Sequence, residues 1–322
     1  MSPKSSPPAS PTLKSRGPGA NTSETPPTTT SVLASPGHRR GGYCRFVLDS
    51  HSSAATAPAR HAATLRAAQV WVVLPTYNEA ENLEPLVDAA LGQLPDSRRI
   101  LIVDDNSPDG TGEIADRLAA ENEDVAVLHR PHKEGLGPAC QAGFREALAG
   151  GAELVIEMDA DFSHDPAYLP WLLRAAEDAD LVIGSRYVPG GGVGDWGPWR
   201  RFLSRSGNAY ARNTLRIGIR DLTGGFKCFR REVLEAIEFE AITARGYVFQ
   251  VELACRALLA GFRVAEILIV FRERREGKSK MTTRIVAEAV WRVLAMRLRR
   301  RAETPKGSLS GGRLGLPSAQ RR

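Results

Sequence analysis

Five short apolar runs, each ending abruptly in polar residues, leave this chain few folds to choose from. Val70-Trp71-Val72-Val73-Leu74, Ile100-Leu101-Ile102-Val103, Val125-Ala126-Val127-Leu128, Leu154-Val155-Ile156 and Leu181-Val182-Ile183-Gly184 are continuous rather than alternating. That is the pattern of strands buried on both faces of a parallel sheet. Helical spacing fills the gaps. The first carries Leu83, Leu86, Val87, Ala90, Leu91 and Leu94 over Glu79 to about Gln93, with Asn78 as its expected cap. The next two predicted helices run from Ile114 to Ala120 and from Pro138 to Leu148. The alternation predicts an α/β domain: a mostly parallel central sheet with flanking helices and right-handed crossovers.

Such a sheet binds its ligands outside the carboxyl ends of the strands. Three polar clusters follow those ends: Pro75 to Glu79, Asp104-Asp105, and Asp159-Ala160-Asp161-Phe162-Ser163-His164. In an extended or turning backbone Asp159 and Asp161 project to the same side, so both can reach one cation, with the Ser163 hydroxyl as a third oxygen. Hard oxygen ligands without His or Cys suit Mg²⁺ or Mn²⁺ better than zinc. Asp165-Pro166 reads as an N-cap followed by Pro at the first helical position. Taken alone, D-x-D is also a common solvated turn. An edge lined by acids, however, repels phosphates unless a divalent cation sits between them, which favours the metal reading. Neither phosphate-loop fingerprint is present: the first βα turn is not glycine-rich, and Gly135-Leu136-Gly137 lacks both a third glycine and the Walker lysine.

Beyond Gly184 the pattern changes. Ser185-Arg186-Tyr187 leads through a Gly-rich, aromatic loop into a basic helix from Arg200 to about Leu215. Thr223 to Phe229 reads as a strand with a flexible start, Tyr247 to Leu259 as a helix, and Val264 to Phe271 as a strand. Arg272 to Lys280 is too polar and Gly-broken for a core element; it supplies mobile cations, with Gly277 as hinge of a candidate lid. A last helix, Thr282 to about Arg300, carries an apolar stripe with Trp291 beside it and arginines around it. That pattern serves packing against the domain or contact with a membrane surface.

Composition bounds the rest. Of 322 residues, 42% are hydrophobic and 25% charged, an ordinary globular balance. Residues 1–68 are rich in Pro, Ser, Thr and Ala without a sustained period and are expected to be a disordered tail; residues 302–322 are expected to be another. No apolar run approaches the ~20 residues needed to cross a bilayer, and no apolar h-region follows the early basic residues, so the expectation is a soluble or peripheral protein without a secretory signal. Cys44, Cys140, Cys228 and Cys255 lie far apart with no C-x-x-C pair, which argues against a zinc site or a disulfide framework and fits a reducing cytosol. The net charge of +6 is local: from Phe271 onward fifteen Lys and Arg face four acids, so the remainder is net negative. A basic end suits nucleic acid, anionic lipid or a phosphorylated substrate. Nucleic acid is disfavoured, because no aromatics interleave with the basic residues and no DNA-binding motif appears.

In this order and spacing, Val-Leu-Pro-Thr-Tyr-Asn-Glu (73–79), Val-Asp-Asp-Asn-Ser-Pro-Asp-Gly-Thr (103–111), Met-Asp-Ala-Asp-Phe-Ser-His (158–164), Gly-Ser-Arg-Tyr (184–187), Thr-Gly-Gly-Phe (223–226), Gly-Tyr-Val-Phe-Gln-Val-Glu (246–252) and Gly-Lys-Ser-Lys (277–280) form one series. The series resembles the dolichol-phosphate (polyprenol-phosphate) mannose synthases, family-2 glycosyltransferases of the GT-A fold. The resemblance covers about Val70 to Arg300. It implies a Rossmann-like nucleotide-diphospho-sugar transferase domain over residues 69–301, in the short form without membrane helices. It further implies that Pro75, Tyr77, Glu79, Val103 and Asp105 hold the guanosine of GDP-mannose, and that Asp159, Ala160 and Asp161 bind the ribosyl-diphosphate. Asp159 and Asp161, with Ser163, would hold Mg²⁺ or Mn²⁺; some members carry Gln where Ser163 stands. Arg186, Arg200, Arg274 and Lys280 fall where the family handles the donor diphosphate and the acceptor phosphate. The implied partners are GDP-mannose, polyprenyl or dolichyl phosphate, the membrane surface and a separate membrane-anchoring protein. The implied location is cytoplasmic, peripheral on the cytoplasmic face of the membrane.

The implied reaction explains a site rich in both signs of charge. A lipid monophosphate has a second pKa of about 6, so near neutral pH it attacks C1 of mannose as a dianion and needs no base. Neither Glu252 nor Asp159 is required in that role. Two anions must instead be brought together, and the charge developing on GDP must be held; Arg forks with Lys280 meet the first need and a cation on Asp159 and Asp161 the second. The competing expectations are the same chemistry with UDP-glucose, and a relative that binds without turnover.

Overall fold

The computed structural model describes residues 68–194, 196–244, 246–272 and 290–298. The expected tails apart from Ala68, and the stretch holding Arg274 and Lys280, lie outside the described residues. The five expected strands form as β1 (Val70–Thr76), β2 (Arg98–Asp104), β3 (Val125–His129), β4 (Leu154–Glu157) and β5 (Leu181–Ser185). After them come β6 (Gly192–Val193), β7 (Lys227–Arg230), β8 (Val264–Leu268) and β9 (Val270–Phe271). The main sheet has the order β3-β2-β1-β4-β7-β5-β8, and β6 pairs separately with β9.

Helices cover both faces, which is why the strands are continuously apolar. Val72 and Leu74 share one core with Ile102, Ile156 and the residues Leu83, Leu118 and Leu172 of α1 (Ala80–Leu91), α2 (Thr111–Glu121) and α4 (Leu169–Ala175). Trp71 and Val73 face the other core, with Val103, Val155 and the residues Phe144 and Phe249 of α3 (Leu136–Ala149) and α7 (Tyr247–Leu259). α5 (Pro198–Leu215) and α6 (Arg231–Ala236) complete that second layer. Phe144 meets Phe229 and Phe239 edge-on at 5.6 Å each, contacts worth ~0.5–1.5 kcal/mol apiece beyond the area they bury.

Two local expectations change. Asn78 does not cap α1: its φ is 61°, and Glu79 is the capping position without a side-chain cap bond. The start of α1 is held instead from the turn after β2. Ser107 Oγ accepts from Asn78 N–H (3.1 Å), Thr111 Oγ1 from Glu79 N–H (3.0 Å) and Asp109 Oδ2 from Ala80 N–H (3.2 Å). β1 and β2 are neighbours, so their turns lie side by side and each satisfies what the other leaves open. Asp165 does act as expected, accepting from Ala167 N–H at 3.0 Å with Pro166 opening a short 3₁₀ turn.

Residues 223–229 form the expected strand with an irregular start. The strand itself begins at Lys227, and β7 runs antiparallel to both β4 and β5, pairing Lys227 with Glu157 and with Ile183. Its leading end therefore opens on the same edge as the carboxyl ends of its neighbours. The second change is in the predicted strand from Val264 to Phe271, which is divided: β8 pairs with β5, and β9 with β6.

α3 approaches the sheet through Gly143, where an added Cβ would stand 2.4 Å from Val73 Cγ1 and 3.0 Å from Val103 Cγ2. Gly143→Val is expected to lower unfolding stability by ~3 kcal/mol, the upper end of the usual overpacking penalty. Urea unfolding followed by circular dichroism measures it.

Candidate active site

The carboxyl ends of β1, β2, β4 and β5 and the leading end of β7 open on one cleft of about 390 Å³. Pro75, Tyr77 and Glu79 line it from the turn after β1. The Lys133 ammonium stands 3.1 Å from the centroid of the Tyr77 ring, a cation–π contact across the mouth. Asp105 also lines the cleft, yet its carboxylate is already engaged: it pairs with Arg130 and accepts from the N–H groups of Glu134 (3.1 Å) and Gly135 (2.7 Å). It fastens the loop that carries Lys133, Gly135 and Leu136 into the wall. Val103 does not reach the cleft; its side chain is in the core, and its carbonyl accepts from Thr76 Oγ1 at 3.3 Å.

In the middle lie Asp159, Ala160 and Asp161. The chain reverses at Phe162, whose φ of 60° is uncommon for an aromatic residue, and Ser163 N–H returns to Asp161 Oδ1 at 3.0 Å. His164 is buried, stacked on Phe226 at 4.9 Å, and its Nδ1 accepts from Asp159 N–H at 3.0 Å. Burial pushes its pKa down against the pull of Asp159 and Asp161, so the ring is neutral with its proton on Nε2. The imidazole thus holds the backbone of Asp159 while the carboxylate faces the cleft.

The oxygen set fits a hard divalent cation. Ser163 does not line the cleft, but its hydroxyl is buried beside Asp161 with no hydrogen-bond partner. Among the described residues no group of three or more His, Cys, Asp and Glu gathers as a metal cage. Two carboxylates with substrate phosphates completing the shell is the arrangement Mg²⁺ commonly takes.

The far wall carries the cations. Arg186 lines the cleft but is nearly enclosed, and Asp221 takes its Nε and Nη2 at 2.7 Å each and its backbone N–H at 3.0 Å. Burial disfavours both charges; mutual attraction and these bonds outweigh it, so the Asp221 carboxyl stays below the usual range and Arg186 above its own. Arg200 stands over the Trp196 ring at 4.1 Å. Thr223 bonds to Arg186 Nη2 (2.8 Å) and to Asn208 Nδ2 (2.9 Å), while Glu266 accepts from the N–H groups of Arg220 and Asp221 at 2.9 Å each. The turn before β7 is therefore held from three sides. Arg274 and Lys280 lie outside the described residues. The chain enters that stretch at Arg272, whose N–H donates to Ser163 O at 3.3 Å.

Under the floor, Cys140 Sγ donates to Glu157 Oε1 at 3.1 Å; Gln250 Nε2 donates to the same oxygen, and Lys227 Nζ donates to Gln250 Oε1 and to Gly224 O. Burial raises Glu157 to about 7 against the opposing pull of Lys227, and lowers Lys227 to about 8 against that of Glu157.

Residues 71–238 match the family described as Glycosyl transferase family 2. The chain belongs to this family. It is 48% identical over 249 residues to a polyprenol monophosphomannose synthase of Mycolicibacterium smegmatis, covering 76% of this chain and 93% of the relative. It is 47% identical over 222 residues to an undecaprenyl-phosphate mannosyltransferase of Micrococcus luteus, covering 69% and 91%. A glucosyl-3-phosphoglycerate synthase from Mycobacterium tuberculosis, solved with Mn²⁺, UDP-glucose and phosphoglyceric acid, is similar in fold with a TM-score of 0.52 at 20% identity, over 77% of this chain and 85% of that one. The protein is a glycosyltransferase of the GT-A fold, as the motif series implied.

Several residues of this glycosyltransferase site escape sequence reasoning. Glu157 and Lys227 do leave a trace, as charges inside runs otherwise built for a core. Asp221 leaves none, because its partner lies 35 residues away, and Gln250 stands in the 246–252 motif with nothing to mark its partner 93 residues away. Asp221→Ala would strand the buried Arg186 charge and is expected to cost about 3–5 kcal/mol. Arg186→Met combined with Asp221→Leu should recover most of that loss in a denaturation cycle.

Proposed function

We propose that this glycosyltransferase moves mannose from GDP-mannose to polyprenyl (dolichyl) phosphate with inversion at C1, releasing GDP and supplying a lipid-linked mannosyl donor for glycan, glycolipid or protein mannosylation. One observation carries it: Asp159 and Asp161 face Arg186 and Arg200 across a single cleft. Acids alone would suit a metal and cations alone a phosphate; two phosphate-bearing substrates need both. The names of two relatives at 48% and 47% identity, both mannosyl transferases to polyprenyl carriers, support the sugar and the acceptor.

In this reading the catalytic domain is residues 69–301. Pro75, Tyr77 and Glu79 hold the guanosine, and Asp105 holds the loop that closes over it. Asp159, Asp161 and Ser163 would hold Mg²⁺ or Mn²⁺, with the ribosyl-diphosphate at Ala160. A cation held there would supply positive charge against the charge developing on GDP. Arg186, held by Asp221 and Thr223 through Nε and Nη2, keeps Nη1 to orient the diphosphate. Arg200, with Arg274 and Lys280, draws in the acceptor phosphate. That nucleophile is already a dianion near neutral pH, so the neutral His164 and the engaged Glu157 have no proton to take.

The acceptor is a lipid, and the surface beside Arg200 suits one. Trp199 and Phe202 of α5 are 72% and 61% exposed, stacked at 5.7 Å and flanked by exposed Arg201 and Arg205. The helix through residues 290–298 lies along α5, with Tyr210 Oη donating to Val290 O at 3.0 Å, and adds exposed Trp291 and Leu298. Aromatics ringed by arginines favour an anionic membrane surface, here the cytoplasmic face. Among the described residues no helix is long and apolar enough to cross a membrane. A separate membrane-anchoring protein would strengthen the contact.

Radiolabel is expected to pass from GDP-mannose to undecaprenyl phosphate with purified protein and Mg²⁺ or Mn²⁺, to stop with EDTA, and to fall to background in Asp161→Ala. Equal or faster transfer from UDP-glucose would overturn the donor assignment. Arg274→Ala and Lys280→Ala should lower turnover while leaving GDP affinity without acceptor nearly unchanged; unaltered transfer rates would reject a lid formed by residues 272–280.

A further inference from the structure

We propose that Gln250 hydrogen-bonds a hydroxyl of the donor hexose and selects among sugars, and that Lys227 and Glu157 are positioning residues that hold its amide in one orientation. The inference rests on the sugar-nucleotide function above and deepens it.

Sheet order locates the hexose. On the function proposed above the nucleoside lies at the turns after β1 and β2, and the acidic loop follows β4. A sugar on the distal phosphate lies one strand further, on the β7 side, where Gly224, Gly225, Tyr247 and Gln250 form the lining. Gln250 reaches this wall from the first turn of α7 although only 1% of its surface is exposed.

An amide presents nearly the same shape when its oxygen and nitrogen are exchanged, so packing alone leaves it two orientations. Charge removes one. The Lys227 ammonium only donates and claims Oε1, while the Glu157 carboxylate accepts and claims Nε2. A flipped amide would set N–H against ammonium and carbonyl against carboxylate. For structural purposes a direct ion pair would satisfy Lys227 and Glu157 more simply. Placing an amide between them uses both buried charges to aim it.

The aimed group keeps spare capacity, since Nε2 has a second N–H and Oε1 a second lone pair. A space adjoins it. An added Cβ at Gly225 would lie 3.6 Å from Gln250 Nε2, from Asp159 Oδ1 and from His164 Cε1. Because residue 225 is glycine, that volume stays open to the cleft, with an amide on one side and a carboxylate on the other. A sugar hydroxyl, donor and acceptor at once, fits between them.

The test compares GDP-mannose with its 2-, 3-, 4- and 6-deoxy analogues in wild type, Gln250→Met and Lys227→Met, with GDP affinity reporting the fold. In wild type one deoxy donor should lose roughly tenfold or more in kcat/KM. In Gln250→Met the parent sugar should lose that factor and the same deoxy donor nothing further; Lys227→Met should narrow the same ratio. If Gln250→Met does not bind GDP, Gln250→Asn, which withdraws the amide by one methylene, carries the same expectation. A uniform loss on every donor, or a wild type that discriminates none of the analogues, overturns the proposal. Transfer by wild type from UDP-glucose and not from GDP-mannose would overturn the donor assignment alone, and the deoxy series on glucose would then decide the role of Gln250.

Discussion

β7 runs against β4 and β5, and its direction decides what the cleft contains. In a wholly parallel sheet only the loops that follow strands reach the ligand edge. The reversed strand delivers the loop that precedes it, Asp221 to Phe226, between the loops of β4 and β5. The same register carries Lys227 into the interior opposite Glu157. An ammonium there is tolerable only when it is paired and hydrogen-bonded, so the strand, Glu157 and Gln250 depend on one another. Glu266 and Asn208 then hold the backbone of the preceding turn, and Arg186 closes it through Asp221 and Thr223.

Two kinds of arginine result. Arg186 has its charge balanced inside the protein, whereas Arg200 rests on an aromatic face at the cleft. The acids divide in the same way. Asp221 is enclosed with Arg186, whereas Asp105, Asp159 and Asp161 line the cleft, Asp105 while fastening the loop at Glu134 and Gly135. The turns that bear the cleft groups bend through Asn78, Asn106 and Phe162, all at positive φ. Function then rests on geometry set before any substrate arrives.

Much of the fold was legible in the chain. Continuous apolar runs with helical spacing between them report burial on both faces whatever the partner, so strands β1 to β5 and the three helices between β1 and β4 emerge from periodicity alone. The acidic pair was legible for a related reason, since Asp159-Ala160-Asp161 is a local pattern at a predictable edge. Asn78 misled because capping is satisfied from a different turn; residues 223–229 did read as a strand with a flexible start, but its reversal was not legible because strand direction has no local signature. Val103 followed from position in the motif series, yet its side chain belongs to the core.

The sequence by itself determined the strand–helix alternation, the sheet edge on which the cleft opens and the acidic residues that line it, because each is written in the spacing of neighbours. Only the tertiary structure decided the reversal of β7, the burial of Lys227 and Glu157 around Gln250, and which of the arginines and aspartates are spent on each other. Those choices depend on distances between residues tens of positions apart, and electrostatic pairing in a buried site is set by such distances and by burial, neither of which local spacing encodes.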